Sequence, residues 1–92
     1  MDKYDVKDLI SEGKNFELSS NKFDKYDLKE LIDESKENNN CLIMIDDGNF
    51  DKYDLKELFE RGAKIQLNSK WDKYDVKELN ETANSGGGLV II

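Results

Sequence analysis

Carboxylates are the side chains best placed to do chemistry in this sequence, and they recur at fixed spacing. Asp2, Asp24, Asp51 and Asp72 each open an octet, Asp-Lys-Tyr-Asp-(Val/Leu)-Lys-(Asp/Glu)-Leu, so a second aspartate follows each at three residues. Paired carboxylates can act as acid and base or hold a hard cation. The densest acidic run, Asp46-Asp47-Gly48-Asn49-Phe50-Asp51, offers oxygen ligands suited to calcium but lacks the ordered EF-hand spacing. The repeated pairs have a plainer use as helix caps. There is no histidine, which removes the usual general base and the commonest zinc ligand. The one cysteine, Cys41, excludes an internal disulfide or a multi-thiolate site; in its apolar run it reads as a small buried hydrophobe. No nucleophile–base pair, phosphate loop or dinucleotide fingerprint is present. The expectation is a non-enzyme with no catalytic, cofactor or metal site.

The elements that position these residues come from a repeat. The octets start 22, 27 and 21 residues apart. Units one and three are short. Units two and four carry insertions, Ser35 to Asn40 and Ala83 to Gly88, so the larger period is about 48 residues. Each octet reads as a helix start. The first aspartate is an N-cap, the second can reach back as in a capping box, and an apolar residue before the cap can staple to one in the first turn. The staple pairs are Met1 with Val6, Phe23 with Leu28, Phe50 with Leu55, and Trp71 with Val76. The stripe continues through Leu28, Leu31 and Ile32, and through Leu55, Leu58 and Phe59. Gly13 and Gly62 suit the left-handed residue that ends many helices. Short apolar alternations follow, at Phe16 to Leu18, Cys41 to Ile45, Ile65 to Leu67 and Leu89 to Ile92, and read as strands.

Alternating helix and strand implies a parallel sheet with right-handed crossovers. In sequential order the helices fall on one face. Because helices pack about 8–10 Å apart and strands about 4.8 Å, the array should bend with its helices outside. The expected fold is α/β: four helix–strand repeats in a short one-sided solenoid with a four-stranded parallel sheet. The 92 residues are read as one domain, in units 1–21, 22–48, 49–69 and 70–92. A three-layer sheet with helices on both faces is the rival. Phe16-Glu17-Leu18-Ser19-Ser20-Asn21-Lys22-Phe23 resembles the strand-and-asparagine part of leucine-rich-repeat-like α/β solenoids. Ile43 to Phe50 follows the same apolar spacing, with Gly48 at the asparagine position. Unit three is one residue short of it, and the helical octet is not the usual consensus. The resemblance implies a protein-interaction scaffold and carries no catalytic residues across.

Three surfaces are candidates. With Phe16, Leu18, Ile43, Ile45, Ile65, Leu67, Leu89 and Ile91 turned toward the helices, strand alternation turns Glu17, Ser19, Gln66 and Asn68, and Leu42, Met44, Val90 and Ile92, to the open face. Four apolar residues there would call for a partner, unless the insertions shield them or the register is off by one. The C-terminal run Gly86 to Ile92 reads as an apolar edge strand with no capping repeat after it, able to pair in a homodimer or to add to another sheet. Tyr4, Tyr26, Tyr53 and Tyr74 form a row about 160° from the stripe, on the outer surface. They read as an interface, or as rings that pack on a preceding loop or a neighbouring helix.

The net charge of −7 repels a phosphate backbone and argues against direct nucleic-acid binding. It suits a basic protein partner or simply keeps the chain soluble. No stretch is apolar enough to span a membrane, and the charged N-terminus lacks a signal-peptide core, so a reducing cytoplasmic location is expected. The leading expectation is a protein-binding module, with self-association as one form of it. The alternative is a small acidic inhibitor, of phage anti-defence or anti-CRISPR type, that blocks a basic nucleic-acid-binding surface on its target.

Overall fold

The computed structural model describes residues 1–39 and 42–92; the expectations for Asn40 and Cys41 lie outside the described residues. Helices α1 (Lys3–Ser11), α2 (Lys25–Glu37), α3 (Lys52–Glu60) and α4 (Lys73–Gly86) alternate with strands β1 (Phe16–Ser19), β2 (Leu42–Ile45), β3 (Lys64–Gln66) and β4 (Leu89–Ile91). The strands form one parallel sheet in the order β1-β2-β3-β4. Neighbouring helices pack in the same sequence, along one face. This is the one-sided α/β repeat array expected from the octets. The insertions largely become extra helical turns, since α2 and α4 have 13 and 14 residues against 9 in α1 and α3.

Each helix begins where its aspartate can accept from the chain. Oδ1 of Asp2, Asp24, Asp51 and Asp72 accepts the backbone N–H three residues on, at 2.8–2.9 Å. The reciprocal bond of a capping box is complete only in α1, where Asp5 Oδ2 accepts from Asp2 N at 3.1 Å. In the later helices the corresponding carboxylate of Asp27, Asp54 or Asp75 receives a lysine of the preceding helix instead. Phe23, Phe50 and Trp71 pack against the core as staples should. Met1 does not, being 76% exposed. Phe23, Phe50 and Trp71 each follow a strand of the sheet. Gly13 and Gly62 close α1 and α3 at φ +73° and +99°, where a side chain would be strained.

The core joins the helix stripes to one face of the sheet. Val6, Ile10, Leu28, Leu31, Leu55, Leu58, Phe59 and Leu79 are fully buried. Opposite them runs the register row Leu18–Met44–Ile65–Val90. That row corrects two strands. Ile43 and Ile45 were expected inward, but Leu42 and Met44 are the buried side chains of β2. In β4, Val90 packs toward the core, and Leu89 and Ile91 turn away. β1 and β3 follow the expected alternation.

Loop length explains the slip. Phe23 stands five residues after Leu18, whereas Phe50 stands six after Met44 and Trp71 six after Ile65. The extra residue enters the βα loop, where Asp46 Oδ1 accepts from Gly48 N at 2.9 Å and closes a turn. Leu18 therefore pairs with Met44, not with Ile45, which the spacing of the sequence aligns with it. In β4 the inward place ahead of Val90 falls to Gly88, whose added Cβ would lie 2.5 Å from Ala63 O. Only a residue with no side chain fits there, so Leu89 must point the other way.

Replacing Met44 by aspartate is expected to abolish the helical circular-dichroism signal, because an unpaired charge would be buried in the core. Ile45→Asp should keep it. Met44→Ala should cost about 2–5 kcal/mol in urea denaturation, and Ile45→Ala less than half as much. Equal costs would contradict the observed register.

Candidate interaction surface

The strand parity defines what the open face presents. Two register rows cross it, Glu17–Ile43–Lys64–Leu89 and Ser19–Ile45–Gln66–Ile91. Polar strands β1 and β3 alternate with apolar strands β2 and β4, giving two aliphatic stripes about 10 Å apart at two strand spacings. Glu17, Gln66 and Leu89 are exposed; Ser19, Ile43, Ile45, Lys64 and Ile91 are half-buried. The face carries one acid and one base, so its formal charge is neutral.

Of the residues expected on this face, Glu17, Ser19 and Gln66 are there. Leu42 and Met44 lie beneath the sheet, and Val90 turns the same way. Ile92 follows β4 and is 90% exposed. Asn68 lies beyond β3 in the βα loop, where its side-chain amide donates to Asp46 O at 3.4 Å. Ile43, Ile45, Leu89 and Ile91 take the places assigned to their neighbours. The signals for them were the turn chemistry of Asp46-Asp47-Gly48 and the side-chain-free position at Gly88.

The acidic run that resembled a cation site is occupied by donors. Asp46 is buried, and besides its turn bond its Oδ2 accepts from Trp71 Nε1 at 2.7 Å and Asn68 N at 3.4 Å. Asp51 is spent on the α3 cap. Among the described residues no three acidic side chains converge as metal ligands. Beside this loop, buried Ser20 is tied to the loop after β2 through Asn49, whose amide donates to Ser20 O at 3.1 Å. The crevice lined by Ile32, Ser35, Leu42, Met44 and Ala63 has no room for a water molecule.

The outer surface of the helices carries a directional charge ladder. Lysines at the second and sixth octet positions of one helix meet acids at the fourth and seventh of the next. Lys3 reaches Asp27 at 3.1 Å and Glu30 at 3.0 Å, and Lys7 joins it on Glu30. Lys25 reaches Asp54 at 3.1 Å and Glu57 at 2.8 Å, and Lys29 reaches Glu57 at 3.4 Å. Lys52 reaches Asp75 at 3.4 Å and Glu78 at 2.9 Å, and Lys56 pairs with Glu78. The lysine hydrogen bonds hold Glu30 and Glu78 below the ordinary carboxylate range. Lys25, with Lys29, does the same for Glu57. Glu57 Oε2 is closed to water and meets its lysines at ion-pair rather than hydrogen-bond geometry.

The tyrosine row belongs to this ladder. Tyr4, Tyr26, Tyr53 and Tyr74 are 69–73% exposed, on the outer surface as the helical angle requires. They do not fold onto a loop or into the core. In the first three helices each ring is flanked by the ladder lysines of its own helix, with ammonium groups 5.6–5.8 Å from the centroid. Tyr74 has Lys73 at 5.2 Å. A cation–π contact on one side and a carboxylate on the other aim each lysine across the seam.

Glu57→Gln should melt at a lower temperature than the parent at pH 7. The native carboxyl of Glu57 is lowered, so its contribution is present above the ordinary carboxylate range and lost as pH falls through the native value. The difference in melting temperature should therefore close toward pH 3 and persist from pH 6 to 8, as thermal scans would read. Trp71→Phe should cost about 1–3 kcal/mol by urea denaturation, because it removes a donor from a buried carboxylate; no change would mean that Asp46 finds another partner.

Helices too short and polar to cross a membrane complete the described surface; no helix there is long and apolar enough to span one. Compared with known protein families, curated proteins and solved structures, the chain matches none.

Proposed function

We propose that the chain is a non-enzymatic protein-binding module that engages a protein partner through the open face of its sheet. The observation supporting this most is the pair of aliphatic stripes, Ile43 with Ile45 and Leu89 with Ile91, on a face that no helix covers. An antiparallel sheet with one wet face normally carries polar residues there, and parallel sheets are normally covered on both faces. Here β2 and β4 are apolar toward the helices and apolar away from them. Glu17, Ser19, Lys64 and Gln66 stand between and beside the stripes, so a partner would meet apolar contact interleaved with hydrogen-bonding groups.

The acidic-inhibitor reading draws on a different edge. Asp2, Asp24, Asp47, Asp51 and Asp72 are exposed along the rim where the helices begin. A basic surface docked there would be held by charge, and that attraction weakens steeply with ionic strength.

The test is affinity capture with the wild-type chain and with Ile45→Asp, at about 0.1 M and about 0.5 M salt. Proteins bound through the sheet face should survive the salt and be lost from the variant, with affinity falling about tenfold or more. If Ile45→Asp captures the same proteins as wild type, the sheet face is not the site. Salt-sensitive capture that ignores Ile45→Asp would assign binding to the acidic rim.

A further inference from the structure

The ladder has a direction, and its two outer helices each carry half a seam. Within the octets, every interior seam takes its lysines from the earlier helix and its acids from the later one; the reversed pair, Arg61 with Asp33, lies past the octets at the far end of α2 and α3. α1 therefore presents Asp5 and Asp8, the acid half, to no helix, and α4 presents Lys73 and Lys77, the lysine half, to none. All four side chains are exposed, and none enters an ion pair among the described residues.

Apolar positions show the same polarity. The octet's last residue is fully buried as Leu31, Leu58 and Leu79, but as Leu9 it is 37% exposed. The fifth residue is fully buried as Val6, Leu28 and Leu55, but as Val76 it is only half-buried. Leu9 lacks a preceding helix, and Val76 a following one. At the sheet, β1 and β4 are each paired on one side only.

We propose that the chain binds a second copy of itself head to tail: Lys73, Lys77 and Val76 on the outer flank of α4 seat against Asp5, Asp8 and Leu9 on α1 of the next copy, while β4 extends the next copy's sheet in parallel at β1. The seam formed this way repeats the three interior seams in sign, in direction and in the apolar residues it covers. Asp8 is one methylene shorter than Glu30, Glu57 and Glu78 at the equivalent position, so this seam is weaker than the interior ones. A two-fold pairing of β4 with β4 would instead set the α4 lysines near their own copies, and like charges oppose that arrangement. The head-to-tail contact is heterologous, so repeating it extends the array without closing a dimer. It leaves the open sheet face free and does not depend on the function proposed for that face.

Sedimentation velocity on the 92-residue chain tests this. From about 10 µM to about 1 mM the average mass should grow past two chains, and added salt should reduce it. Lys73→Glu/Lys77→Glu and, separately, Asp8→Lys should each weaken association about tenfold or more while keeping the helical circular-dichroism signal. Mixing the two variants should restore pairing to two chains, because the native α4 lysines of one meet the native α1 acids of the other. Ile45→Asp should leave association unchanged. A wild-type monomer throughout the range, a wild-type plateau at two chains, or variants that fail to pair on mixing would each overturn the proposal.

Discussion

Parity along the strands is the constraint on which the rest of this structure depends. Four helices bring four apolar stripes to one side of a parallel ribbon, and each strand must turn its matching side chains to that side. Side chains alternate along a strand, so a shift of one residue exchanges core and surface completely. Leu18, Met44, Ile65 and Val90 meet the condition in one unbroken row. The neighbouring rows become an open face by the same geometry. The aliphatic stripes there are consequently a product of register as much as of composition.

Loops between strand and helix absorb the differences among units without disturbing that row. The longer loop after β2 turns back on the Asp46 carboxylate, which also takes the indole N–H of Trp71 from the loop after β3. Ser20 and Asn49 make the corresponding link between the loops after β1 and β2. These bonds satisfy buried polar groups that a bare loop would leave without partners. They also tie neighbouring strand–helix loops together along the rim where the helices start. An acidic run that resembles a cation site in the sequence is thereby used up in holding the loops.

On the far side, charge supplies direction. Surface ion pairs are individually weak, but here the octet lysines and acids repeat the same pairs with the same polarity in each interior seam; Arg61 at the end of α3 adds a pair of the opposite sense to Asp33 of α2. Tyrosine rings hold the lysine stems, and carboxylates of the next helix receive the ammonium groups. This explains why tyrosine recurs in every octet although no ring enters the core. It also explains why the second aspartate completes a capping box in α1 alone: Asp5 meets no incoming lysine, and its carboxylate turns back to the cap. Apolar stripes bring the helices to the sheet, and the ladder distinguishes the leading flank of each helix from its trailing flank.

Helix positions, caps and the alternation of helix and strand were determined by the sequence, because each rests on interactions a few residues apart, and the one-sided parallel array follows from that alternation and the right hand of its crossovers. A cap reaches three residues, and a helical stripe spans several positions and tolerates an error of one. The tertiary structure alone decided which side chains of β2 and β4 face outward and which acid each lysine meets. Strand parity turns on a single residue of loop length and on the close approach of Gly88 to Ala63, which no local pattern displays. The ladder partners stand 22–32 residues apart in the chain, at distances set by how neighbouring units dock. Periodicity makes local structure legible from within one unit, whereas faces and seams exist only once units are stacked.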